Sequence, residues 1–134
     1  MERRAVEKTQ QSRPSFRLGT VCIDCSDAHE MAAFYGRMLG WEVTAREPDW
    51  VLMRDPAGGT GLSFQAEKWY RAPTWPEQPD AQDKMLHLDI QVDDLDAAVA
   101  HALESGARLA EHQPQSHVRV LLDPAGHPFC LFLD

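Results

Sequence analysis

Landmarks in the first half of this chain return in the second at a nearly fixed distance. Asp27 and Asp93, each placed to open a helix, stand 66 residues apart, and so do Gly40 and Gly106, each placed to close one. The phrase DPAG occurs at 55–58 and again at 123–126, 68 residues later. A repeat of this kind signals one supersecondary unit used twice, and it limits the folds open to the chain.

The unit can be read residue by residue. LGTVCIDCS (18–26) is apolar and β-branched enough for a strand. Asp27 follows at an N-cap position, and AHEMAAFYGRML sets Met31, Phe34, Tyr35 and Met38 at helical spacing before Gly40 ends the run. WEVTARE, WVLMRD and GLSFQAE then read as three short strands. In the second half MLHLDIQV (85–92) is a strand, DDLDAAVAHALESG a helix opened by Asp93 or Asp94, and ARLAEH, HVRVLLD and PFCLFL three more strands. The expected fold is α+β, with two βαβββ modules. Each DPAG, with Asp, Pro and Gly at the first, second and fourth places, suits a type I turn joining the third strand of a module to its fourth. No helix starts after either copy, so a phosphate cradle is not expected.

A polar, flexible tail is expected over 1–16 and a single domain over 17–134. Its modules cover about 17–67 and 84–134, joined by a Pro-rich aromatic linker at 68–83. The net charge of −8 and pI near 5.1 argue against nucleic-acid binding, which needs a concentrated basic surface. No apolar run is long enough for a bilayer, so no membrane contact is expected, and the N-terminus lacks the apolar segment of a secretory signal. Three cysteines, Cys22, Cys25 and Cys130, are an odd number and suit a reducing cytoplasm better than a disulfide framework.

FYGRMLGW closing the first helix, HLDIQVDDLDAA opening the second module and the terminal DPAGHPFCLFL together resemble the vicinal oxygen chelate superfamily. Within it they are most similar to the glyoxalase-like, bleomycin-resistance branch, also grouped with dioxygenases. The resemblance spans about residues 17–134. It implies curved sheets around a cavity and, in metal-dependent relatives, four inward ligands (His or Gln, Glu, His, Glu) from the first and last strands of the modules. Carried onto this chain, those positions fall on Thr20, on Ser63 or Gln65, on His87 and on Cys130. Only His87 is a strong ligand there, and Cys130 stands where relatives carry Glu. No metal site and no cofactor is therefore expected. A divalent metal at His87 is conceivable but lacks support from the other three positions.

The alternation in MLHLDIQV puts His87, Asp89 and Gln91 on one face and Leu86, Leu88, Ile90 and Val92 on the other. The first strand likewise separates Thr20, Cys22 and Asp24 from Val21, Ile23 and Cys25. Asp24 and Asp89 are expected to face the cavity near Arg54 or Arg119, either pairing with other protein groups or holding a polar small molecule. Trp69, Tyr70 and Trp75 make the linker a candidate pocket wall, with burial against core or at a dimer contact as the other reading. The candidate ligand-contacting residues are Asp24, Gln65, Trp69, Trp75, His87, Asp89 and Cys130.

Other signals are set aside. Cys22 and Cys25, three apart in a strand, face opposite ways. His29-Glu30 is followed by Ala33 where a zinc-protease motif needs His. A Cys130–His87 nucleophilic pair lacks a third, orienting member. His127 is assigned to flanking its turn. The expected function is a cytoplasmic, homodimeric protein that binds or sequesters a polar-aromatic metabolite or drug. Catalysis stays open as the alternative, as a lyase, isomerase or dioxygenase with an atypical metal site or with metal-free acid–base groups.

Overall fold

The computed structural model describes residues 13–133. Residues 1–12, most of the expected tail, and Asp134 lie outside the described residues. Module one contains β1 (Thr20–Cys25), α1 (Ala28–Leu39), β2 (Val43–Glu47), β3 (Trp50–Met53) and β4 (Gly61–Ala66). Module two repeats the order with β5 (Leu88–Gln91), α2 (Leu95–Ser105), β6 (Arg108–Leu109), β7 (Val118–Leu122) and β8 (Pro128–Phe132). Each module forms a four-stranded sheet, β1-β4-β3-β2 and β5-β8-β7-β6, in which the first strand pairs parallel to the fourth and the other pairs are antiparallel. The expected fold class is the observed one.

Local chemistry accounts for the boundaries. The Asp27 carboxylate accepts from the backbone N–H of His29 and Glu30, and Gly40 takes the left-handed conformation that ends α1. Asp94, rather than Asp93, caps α2 by accepting from Ala97 N–H. In both DPAG turns the Gly N–H donates to the Asp carbonyl at 2.9 Å, and Gly58 and Gly126 share φ of 88°.

Two strands are shorter than the sequence suggests. β5 begins at Leu88, not Met85. Its register with β8 would set His87 opposite Pro128, which has no N–H to donate. β6 stops after Leu109 because the Gln113 side chain replaces the ladder: it accepts from Val120 N–H and donates to the carbonyls of Val120 and Ala110, all at 2.8 Å.

Both modules share one core. Met31, Phe34 and Tyr35 of α1 are fully buried, and the aromatic pair meets Phe64 of β4 and Phe129 of β8. Tyr35 stacks on Phe64 at 5.5 Å and lies 6.3 Å from Phe129. The helices also touch. Arg37 donates twice to the Ser105 carbonyl, placing a cation at the negative end of α2. The His101 ring approaches the carbonyls of Arg37 and Met38.

Candidate functional site

Alternation fixes which side chains leave the core. On β1, Ile23 and Cys25 are buried, while Cys22 and Asp24 are exposed. On β5, Asp89 and Gln91 are exposed beside half-buried Leu88 and Ile90. These polar faces open onto two separate clefts.

The first cleft, about 710 Å³, lies between β1 and the linker and includes Asp24, Trp69, Tyr70, Arg71, Lys84 and His127 in its lining. Its frame is hydrogen-bonded across the modules. Tyr70 Oη donates to the Ala125 carbonyl at 2.7 Å. His127 Nε2 lies 2.6 Å from the Asp24 carbonyl, which can only accept, so the proton is assigned to Nε2. The same nitrogen is 3.1 Å from Tyr70 Oη. Burial, with the Asp123 carboxylate nearby, pushes the Tyr70 phenol well above its ordinary range and keeps it neutral. Trp69 is 82% exposed, so an aromatic face is available to a ligand.

The second cleft, about 380 Å³, lies on module two and includes His87, Asp89, Gln115, His117 and Cys130 in its lining. Asp89 and Cys130 are register partners on β5 and β8, and His87 lies two residues before Asp89 on the same face. His87 Nδ1 is 3.0 Å from Asp89 Oδ1. One ligand atom from each of His87, Asp89 and Cys130 lies within 4.8 Å of the others. Burial, followed by the adjacent Asp89 carboxylate, raises the Cys130 thiol above its ordinary value, which argues against a free thiolate nucleophile. A wider depression of about 990 Å³ at the start of α2 presents Asp93 and Asp94 without an aromatic wall. Asp94 is already committed there as the helix cap.

The structure therefore divides the candidate residues. His87, Asp89 and Cys130 come together, and Asp24 and Trp69 line the other cleft. Gln65 donates to the carbonyls of Asp49 and Ala66 and lines neither cleft. Trp75 donates to the His112 carbonyl at 3.3 Å and carries Lys84 over its ring, fastening the linker to the loop after β6. Asp89 is paired with His87 rather than with an arginine, and Arg119 is spent on the carbonyls of Gln115, Ser116 and Val118.

The four-ligand metal site implied by the resemblance does not fit. Thr20 Oγ1 donates to Ser63 Oγ at 3.0 Å, so the module-one positions satisfy one another and present no charged donor. Sequence reasoning missed Tyr70 and His127 as cleft residues. A signal existed for His127: the first turn reads DPAGG and the second DPAGH, so His127 breaks the repeat where Gly59 keeps it plain.

Residues 20–132 match the family model described as Glyoxalase-like domain. No curated protein sequence matches the chain. Among solved structures, a glyoxalase/bleomycin resistance protein/dioxygenase family enzyme from Burkholderia phytofirmans PsJN aligns with TM-score 0.67 at 21% identity, covering 88% of this chain and 98% of that one. A possible glyoxalase from Bacillus cereus gives 0.64 at 15% identity, with 88% and 99% covered. TnmS3, an antibiotic binding protein from Streptomyces sp. CB03234, gives 0.58 at 21%, with 90% and 96% covered. At these identities the likeness is one of fold.

Proposed function

The chain belongs to the glyoxalase-like domain family, and from that premise we propose that it binds or sequesters a polar-aromatic small molecule in the cleft between β1 and the linker. The observation that carries this reading is the cleft itself. At about 710 Å³ it has the volume of a small-molecule site, and it joins aromatic surface (Trp69, Tyr70) to charged groups of both signs (Asp24, Arg71, Lys84). Stacking on Trp69 gives such a ligand area, and the charged rim gives orientation. The structural likeness to an antibiotic binding protein agrees with a binding role. Binding in this cleft needs no metal, because none of its lining groups forms the triad on module two.

The reading includes a homodimer. Phe16 and Met85 are 87% and 90% exposed, and Met85 lies at the rim of the same cleft, where a second copy would cover it. Light scattering should give twice the 15.1 kDa chain mass.

The test of ligand binding is a panel of aromatic metabolites and antibiotics read by thermal shift and Trp fluorescence. At least one compound should raise the melting temperature in the presence of chelator, and Trp69→Ala should weaken it about tenfold or more, the scale of losing a base-sized aromatic stack. A panel hit unaffected by Trp69→Ala, or one abolished by chelator, rules the reading out.

A second reading rests on the His87–Asp89 pair at 3.0 Å, a carboxylate orienting an imidazole at the floor of a cleft. That is the arrangement an acid–base catalyst uses. Turnover that survives chelation and is lost in His87→Gln would favour it over pure binding.

A further inference from the structure

We propose that His87, Asp89 and Cys130 form a zinc-class cation site carried by module two alone. It differs from the two-module, carboxylate-rich site of metal-dependent relatives in where its donors come from and in their chemistry. Module one is closed to it, since Thr20 and Ser63 bond to each other. Its carboxylate is Asp89, two residues along β5 from His87, at a position outside the relatives' ligand pattern.

The geometry comes from strand register. Asp89 stands opposite Cys130 across the parallel β5–β8 pair, and His87 shares the face of Asp89. Their ligand atoms already lie within 4.8 Å of one another, with His87 Nδ1 and Asp89 Oδ1 at 3.0 Å. Tetrahedral zinc, with bonds of about 2.0 Å to nitrogen and about 2.3 Å to sulfur, needs donors about 3.3–3.6 Å apart. The remaining contraction is about an ångström, and the half-exposed His87 ring has room to supply it. One nitrogen, one oxygen and one sulfur make a borderline-soft set that favours zinc over magnesium, calcium or manganese. Three protein donors leave a fourth position facing the cleft that His117 lines. When the cation binds, the Cys130 S–H bond breaks, its proton leaves to solvent and the sulfur lone pair forms the metal bond.

The site stands apart from the linker cleft, so its test is separate from the ligand test above. Full-length chelator-treated protein is titrated with Zn²⁺ against a chromophoric competitor, and with Co²⁺ while recording absorption. Expected are one Zn²⁺ per chain and a near-ultraviolet sulfur-to-cobalt charge-transfer band that Cys130→Ser abolishes. Asp89→Asn should lower Zn²⁺ affinity at least about tenfold, since loss of a direct ligand should cost no less than loss of an outer-shell partner. Asp89 is exposed, so this variant should keep its far-UV circular dichroism. Thr20→Val should leave affinity unchanged. The proposal fails if Mn²⁺ binds more tightly than Zn²⁺, if the charge-transfer band is absent, or if Asp89→Asn binds like the parent. It also fails if Thr20→Val weakens binding as much as Cys130→Ser, which would indicate a two-module site instead.

Discussion

At the scale of residues, three thiols on one chain occupy three environments. Cys22 faces out of β1, while Cys25, three residues along, faces the core, where burial pushes its thiol up to about 12. Cys130 is half-buried and raised by burial and by Asp89. Thiolate is the reactive form, so an alkylating reagent at pH 8 should modify Cys22 first, Cys130 slowly, and Cys25 only on unfolding. Peptide mass spectrometry over a time course checks the order, and early labelling of Cys25 would contradict the β1 facing. That facing was legible in the sequence because a strand alternates its side chains. The partner of Asp89 was not, because His87 and Arg119 were both within conceivable reach and only the loop at 115–118 decides that Arg119 is occupied elsewhere.

At the scale of elements, caps and turns were readable because they depend on neighbours in the chain. Asp27 satisfies two amide donors at the start of α1, so Asp27→Ala should cost about 1 kcal/mol of stability, measurable as a lower urea midpoint with an unchanged slope. Asp94→Ala should behave alike, with one amide donor lost. Strand ends were less readable. The truncation of β6 depends on the Gln113 side chain folding back onto Val120, and the late start of β5 on a proline forty residues away in sequence. Periodicity holds no trace of either.

At the scale of the whole molecule, the modules are held together by residues that the repeat does not duplicate. Asp55 of the first DPAG is a half-exposed turn residue, while Asp123 of the second is fully buried and accepts from Tyr35 Oη of α1 at 2.7 Å. Tyr35→Phe leaves that carboxylate short of a donor and should cost about 1.5–3 kcal/mol by chemical denaturation. Burial raises the Asp123 carboxyl above its ordinary value, outweighing the hydrogen bonds from Tyr35, His127 and Ala125 that pull it down. The folded state therefore holds this proton more tightly than the unfolded chain. Its stabilising contribution is full below about pH 4 and is lost as pH rises through the raised folded value. Asp123→Asn cannot titrate, so its stability relative to the parent should improve over that window. A constant difference across pH would mean that the carboxyl is not shifted.

Duplication, fold class, helix limits and turns follow from the amino-acid order because each is local: a cap, a glycine or an alternation acts within a few residues. Family resemblance carried His87 and Cys130 to ligand positions by the same linear logic. Tertiary structure alone decides that Thr20 and Ser63 neutralise one half of that site, that Asp89 joins the other half, and that Tyr70 and His127 brace the linker cleft. Those outcomes depend on which side chains meet across sheets and modules, and a contact between residues 24 and 127 has no local signature to read.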